Sequence, residues 1–133
     1  MKPVFADAWF YIAVLDADDQ GHTRAVAWLR EFRGRIVTTR SVLTEAANSL
    51  AAPALRGTTA AFLHSLESAP AVRIVDDSDR LYARGLALYG ARADKAWSLT
   101  DCISFVVMND DRLTEALTGD HHFQQAGFTA LFL

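Results

Sequence analysis

Pro3-Val4-Phe5-Ala6-Asp7-Ala8-Trp9-Phe10-Tyr11-Ile12-Ala13-Val14-Leu15 passes from a strand to a helix across one acidic residue. Pro3-Val-Phe-Ala reads as a short buried strand with Lys2 and Pro3 marking its start. Asp7 ends it, and Ala8 to Leu15 continues as an apolar turn of helix. A strand that feeds directly into a helix is the opening half of a crossover unit, so the question for the remaining chain is whether that unit recurs.

It does recur. Asp18 or Asp19 is placed to cap a second helix, which carries Ala25, Val26, Trp28, Leu29 and Phe32 at helical spacing and stops at Gly34. Ile36-Val-Thr-Thr39 is a β-branched strand. Ser41 is expected to cap the next helix, with Val42, Leu43, Ala46, Ala47 and Leu50 inward and Pro53 breaking it. Thr58 or Thr59 starts another helix through Phe62, Leu63 and Leu66, and Val72-Arg-Ile-Val75 is a third strand. Ser78 or Asp79 caps a long helix with Leu81, Tyr82, Leu86 and Tyr89, and a polar connection runs from Gly90 to Lys95. Ser98 caps a further helix to Met108 or Asn109. Leu113–Thr118 and Thr129–Leu133 close the chain as strands, with a turn of helix around Phe123. Strands alternating with helices are the signature of an α/β protein whose parallel sheet is covered on both faces.

The 133 residues suffice for one domain with a real core, and a 51% apolar content is that of a folded globular protein. We see no internal repeat, low-complexity stretch or linker, so residues 1–133 are expected to form a single domain. The single cysteine, Cys102, rules out an internal disulfide, and its place in an apolar helical run reads as a buried inert thiol. No stretch has the form of a signal peptide, and Val4 to Leu15 is too short to span a membrane. The expectation is a soluble cytoplasmic protein. A net charge of −3 argues against a nucleic-acid coat protein held by long-range charge. It leaves room for an enzyme that grips nucleic acid through a local rim, for which Arg33, Arg35, Arg40, Arg92 and Lys95 are candidates; a scattered solvated face accounts for them equally well.

Four acids stand at the ends of apolar segments: Asp7, Glu45 in Ser41-Val-Leu-Thr-Glu45, Asp101 in Trp97-Ser-Leu-Thr-Asp101, and Asp120 after Ala116-Leu-Thr-Gly119. Open parallel sheets bind ligands at the carboxyl ends of strands where the strand order reverses. If the first and fourth strands are neighbours, Asp7 and Asp120 share that rim. Glu45 and Asp101, in the first turns of helices, could lean over it. Close carboxylates raise one another's pKa and cannot all stay ionised unpaired. Hard divalent cations such as Mg²⁺ or Mn²⁺ take oxygen ligands of this kind, which points to a metal-dependent site acting on phosphate.

Each acid also has a plainer reading. Asp7 fits a turn cap, Glu45 a favourable first-turn charge, Asp101 the capping box Ser98-x-x-Asp101, and Asp120 a turn residue or the cap of a short helix. The capping role does not conflict with metal binding, because one oxygen can cap while the other binds. His121 and His122 adjoin Asp120, but adjacent histidines are expected to point apart, leaving a solvated or supporting role. Phosphate-binding Gly-rich loops, a dinucleotide fingerprint and a nucleophile elbow are all missing. Trp9, Trp28 and Trp97 read as core or interface residues.

With those residues in view, the chain resembles PIN domains, specifically the small stand-alone VapC-type toxins of bacterial toxin–antitoxin pairs. The resemblance runs from Val4-Phe-Ala-Asp7 to the last strand. It is most specific in Asp94-Lys-Ala-Trp-Ser-Leu-Thr-Asp101 and Ala116-Leu-Thr-Gly-Asp120-His-His-Phe123-Gln-Gln-Ala-Gly-Phe128, and Thr44-Glu45-Ala-Ala-Asn48 fits the second acidic position. It implies a three-layer α/β/α fold around a five-stranded parallel sheet, and Asp7, Glu45, Asp101 and Asp120 as a metal-binding catalytic quartet. Asp94 falls where many relatives carry an acid and is taken as auxiliary, positioning the quartet or Lys95. Ser98 and Thr100 are expected as supporting hydroxyls, with Asn48 near the rim to order a water.

The implied activity is Mg²⁺- or Mn²⁺-dependent hydrolysis of RNA, with a cognate antitoxin inserting a peptide near the groove, and a homodimer. Trp9-Phe-Tyr11 and Phe62-Leu63 could serve those contacts, and core burial explains them equally. Two rivals remain. A receiver-like phosphoryl-transfer protein would need a nucleophilic strand-end aspartate and a suitable lysine, for which only Lys95 is available and its context is wrong. A non-catalytic metal- or partner-binding regulatory module is the other, and metal-dependent cleavage separates it from the enzyme.

Overall fold

β1 (Val4–Ala6), β2 (Ile36–Thr39), β3 (Val72–Val75), β4 (Glu115–Leu117) and β5 (Thr129–Ala130) form one parallel sheet in a computed structural model describing residues 1–133. The strand order is β3-β2-β1-β4-β5. Phe5 lies opposite Val37 on one side and Ala116 on the other. From β1 the chain steps outward to β2 and β3, then crosses back to place β4 on the opposite flank of β1. The β1/β4 boundary is therefore the point where strand order reverses, and Asp7 and Asp120 follow those two strands.

Seven helices fill the connections: α1 (Ala8–Leu15), α2 (His22–Glu31), α3 (Arg40–Ser49), α4 (Pro53–Leu66), α5 (Asp79–Ala91), α6 (Leu99–Asp110) and α7 (His121–Gln125). Every residue of β1 and β2 is buried, so both faces of the central sheet are covered. Helix α6 is buried along its length from Asp101 to Met108, the behaviour of a helix apolar on all sides. Phe105 on α6 sets its ring edge-on to Trp97 at 5.0 Å and to Phe123 at 4.9 Å, tying α6 and α7 to the core under β1. Cys102 is wholly buried, and burial pushes its thiol pKa up, as an inert thiol requires. No helix is long and apolar enough to cross a membrane.

Several helix starts differ from the sequence reading. Asp16 and Asp19 spend their carboxylates on the backbone N–H groups of Asp18 and Gly21, building turns, and α2 begins only after them, at His22. Thr39, the last residue of β2, caps α3 by accepting from Val42 N–H; Ser41 instead donates to Asp77. Glu45 thereby falls in the second turn of α3, which removes the first-turn charge account of it. Pro53 opens α4 rather than breaking a helix, the position where its missing N–H costs nothing. The last two strands are shorter than expected. On α5 the inward face is Leu81, Gly85 and Leu88, and Tyr82, Leu86 and Tyr89 are exposed.

Core burial wins over interface for most of the aromatic stretch in α1. Phe10 and Tyr11 are buried, and Tyr11 faces Phe62 at 6.0 Å. Trp97 is buried, and Trp9 and Trp28 pack partly buried on the core.

Candidate metal centre

A cavity of about 330 Å³ opens beside the carboxyl ends of β1 and β4, walled by Asp7, Glu45, Asp101 and Asp120 together with Ser98, His122 and Trp9. The fold thus brings all four sequence-selected acids to one place. Each arrives on a different element: Asp7 between β1 and α1, Glu45 on α3, Asp101 in the first turn of α6, and Asp120 at the start of α7.

Asp7 is the deepest, only 5% exposed. It occupies the residue before α1, yet its side chain does not cap that helix. Instead it accepts a hydrogen bond at 2.9 Å from the Thr118 hydroxyl. The same Thr118 oxygen accepts the Asp120 backbone N–H at 3.0 Å, so one buried hydroxyl at the end of β4 links two of the acids. Burial pushes the Asp7 pKa up to about 7; the Thr118 bond pulls it down, and Asp101 and Glu45 push it further up.

Asp101 is locked at the N-terminus of α6. It accepts from Ser98 N–H through Oδ2, and its own N–H donates to Ser98 Oγ, completing the capping box. Asp120 caps α7 by accepting from the His122 backbone N–H. The capping readings of Asp101 and Asp120 therefore hold alongside their place in the cavity. Glu45 is half-buried and has no hydrogen-bond partner in the chain; burial first, then Asp101 and Asp120, raise its pKa.

Two neighbours carry more than the sequence suggested. Thr118 was embedded in the Ala116–Asp120 stretch without a role, and its signal is a hydroxyl at a strand end two residues before an acid. His122 reaches into the cavity, with Nδ1 at 3.1 Å from Asp101 Oδ2 and 3.4 Å from Asp120 Oδ2. Nδ1 is within hydrogen-bond distance of Asp101 Oδ2, so the ring ties the start of α7 to the start of α6. The two histidine rings lie 4.6 Å apart rather than diverging, and ligand atoms of Asp120, His121 and His122 gather within 4.8 Å. Gly119 makes the close packing possible: a Cβ there would sit 2.7 Å from the Trp9 indole.

Other candidates lie elsewhere. Asp94 is exposed and paired with Arg92, with Lys95 Nζ at 3.9 Å, so it bears on Lys95 and not on the quartet. Arg40 is paired with Glu67 and Asp76, which depletes the supposed basic rim. Asn48 and Thr100 line a larger groove next to the cavity, continuous with it through Glu45 and Ser49.

The donor set answers a hard divalent cation. Four carboxylates converge without an arginine or lysine among them, and burial has lifted one to about neutrality, so a bound cation would relieve charge that the fold itself leaves uncompensated.

A sequence model of the PIN domain matches residues 4–129, nearly the whole chain. The chain belongs to the PIN domain family. Among solved structures, Mycobacterium tuberculosis VapC20, described as a sarcin-ricin loop cleaving toxin, shares this PIN fold with a TM-score of 0.88 and 22% identity over 96% of this chain and 98% of its own. FitAcB from Neisseria gonorrhoeae matches with TM-score 0.64 and 20% identity over 98% of this chain and 96% of its own. VapBC2 from Rickettsia felis, bound to a DNA fragment from their promoter, matches with TM-score 0.66 and 11% identity over 97% of each chain. At these identities the likeness is one of fold. No curated protein sequence matches the chain.

Proposed function

We propose that this single PIN domain is a metal-dependent endoribonuclease, the toxin of a toxin–antitoxin pair. The observation that carries the reading is the convergence of Asp7, Glu45, Asp101 and Asp120 on one cavity at the strand-order reversal, with Asp7 buried and raised to about 7. Membership of the PIN family and the fold shared with a toxin that cleaves the sarcin-ricin loop support the substrate class.

Asp7, Asp101 and Asp120, with Glu45 completing the set, are the residues that would hold Mg²⁺ or Mn²⁺. Bound there, such an ion supplies Lewis-acid charge for hydrolysis of a phosphodiester. The reaction adds water across the P–O3′ bond, leaving a 3′-hydroxyl and a 5′-phosphate. The chain's own part is positioning. The Thr118 hydroxyl fixes Asp7, the Ser98 box fixes Asp101, and His122 holds Asp101 and Asp120 against each other. Because these groups are set before substrate arrives, no reorganisation is needed as charge develops at phosphorus.

The proposed partners are an RNA substrate, a cognate antitoxin and a second copy of the chain, acting in the cytoplasm. The test is purified wild type and Asp7→Asn against total cellular RNA with Mg²⁺, Mn²⁺ or EDTA. The expected result is discrete, metal-dependent cleavage that the variant lacks. Metal-loaded wild type that leaves RNA intact would favour the non-catalytic binding module, and equal cleavage by both proteins would remove Asp7 from the site.

A further inference from the structure

The larger groove beside the cavity, about 810 Å³, runs between α3, the start of α5 and α6. It shares Glu45 and Ser49 with the acidic cavity, so a chain whose phosphate lay among the four acids would have its neighbouring nucleotide at this groove. No lysine, arginine or histidine lines it, and Glu45, Asp77 and Asp79 do. Phosphate is therefore a poor occupant, whereas an uncharged group rich in donors fits.

Several of the groove's polar side chains, most of them open to solvent, have no partner in the chain. Thr44, Asn48, Ser49 and Thr100 make no side-chain hydrogen bonds within the chain, and neither does the Asp79 carboxylate. By contrast, Ser41 is bound to Asp77 and Ser78 caps α5. Tyr82 completes the wall. It is 54% exposed, the first of three exposed apolar side chains along α5 with Leu86 and Tyr89 and the one of them at the groove, and it stands one turn from Asp79, at i and i+3. A flat apolar face beside unspent acceptors is how proteins receive a splayed-out RNA base, by stacking and by hydrogen bonds to its Watson–Crick edge.

We propose that this groove is a base subsite for guanine in single-stranded RNA, with Tyr82 as the stacking face and Asp79 as the group that reads the base. The choice of guanine follows from donor geometry. Its N1–H and N2–H₂ present two adjacent donors that match the two oxygens of a carboxylate, which only accepts. Adenine and cytosine set an acceptor beside their amino group, and uracil flanks its single N–H with carbonyls. Either arrangement turns an oxygen or a bare nitrogen towards Asp79. The subsite rests on the ribonuclease reading for its biological use but not for its test.

The experiment titrates the full-length protein, without metal, with guanosine, adenosine, cytidine and uridine, uncharged probes that the acids do not repel, and follows backbone amide NMR shifts. Guanosine is expected to move Tyr82, Asn48 and Thr100 saturably and to bind at least about tenfold more tightly than the other three nucleosides. Tyr82→Ala, at an exposed position that leaves the core intact, should weaken guanosine by about tenfold or more, the scale of one base stacked on an aromatic ring. Asp79→Asn should erase the preference for guanosine while retaining stacking. Shifts of equal size for all four nucleosides, no saturable shift, or binding that survives Tyr82→Ala would overturn the subsite. RNA cleavage by the same preparations separates the two readings. Cutting without guanine preference, unchanged in Tyr82→Ala, would sink the subsite and leave the nuclease. Guanosine binding by a protein that cuts no RNA would do the reverse.

Discussion

Asp7 shows how a single residue can be costly to the fold and central to the site. Moving its carboxyl from the ordinary carboxylate range to about 7 corresponds to on the order of 4 kcal/mol of destabilisation at neutral pH. Asp7→Asn keeps an acceptor for the Thr118 hydroxyl and removes the buried charge. The metal-free variant is therefore expected to be more stable than wild type at pH 7, by up to about 4 kcal/mol, and urea unfolding in EDTA measures it. Equal or lower stability would mean the carboxylate is not penalised. Thr118→Val deletes the hydroxyl that holds Asp7 and accepts the Asp120 N–H. Leaving that N–H unpaired should cost about 1–3 kcal/mol, and losing the bond to Asp7 should move the onset of Mg²⁺ or Mn²⁺ binding to higher pH. Calorimetric titration across pH reads the second effect, which a merely structural threonine would not produce.

At the scale of elements, the helices that carry the site are set by caps and close approaches. Ser98 was legible as a cap from the Ser98-x-x-Asp101 box, whereas Ser78 competed with Asp79, and Asp120 read equally as a turn residue; the structure makes both of them caps. Around α2 and α3 several oxygen-bearing residues compete, and strand length and turn geometry decide among them: Thr39 wins because β2 runs straight into α3. Gly85 gives α5 its close seat on α6. A Cβ there would fall 2.4 Å from Ile103 Cγ1 and 3.4 Å from its backbone. Gly85→Ala is expected to destabilise the protein by about 1–3 kcal/mol despite alanine's better helix propensity. It should also disturb α6, which carries Asp101, so metal affinity should fall with stability. A neutral or stabilising outcome in thermal unfolding would show that the helices can part at little cost.

For the whole molecule, the raised acids give stability a definite sign with pH. An acid whose folded-state pKa is raised contributes stability that is complete below its unfolded value and lost as pH rises through the folded value. For Asp7 that window runs from about 4 to beyond about 7, and the raised pKa of Glu45 adds in the same direction. Metal-free protein is thus expected to lose stability between pH 5 and pH 8, and a divalent cation to restore it. Cation at about a hundred times its dissociation constant adds about 2.7 kcal/mol. Denaturant titrations at both pH values, with EDTA or Mg²⁺, test this. Stability that rose with pH in EDTA would contradict the buried, raised Asp7.

The sequence by itself determined the alternation of strands and helices, because apolar runs of the two periods are separated by polar breaks that local chemistry makes readable. It also determined the four acids as candidates, because a parallel sheet gathers the ends of the segments they mark, and carboxylates so gathered repel unless a cation holds them. Only the tertiary structure decided that β4 lies beside β1, which brings Asp7 and Asp120 to one rim. It also decided that Thr118 and His122 bridge the acids, and that Tyr82 faces out. Strand order and the aim of a side chain depend on contacts between residues far apart in the chain, such as Asp7 with Thr118, and no local pattern encodes such a pair.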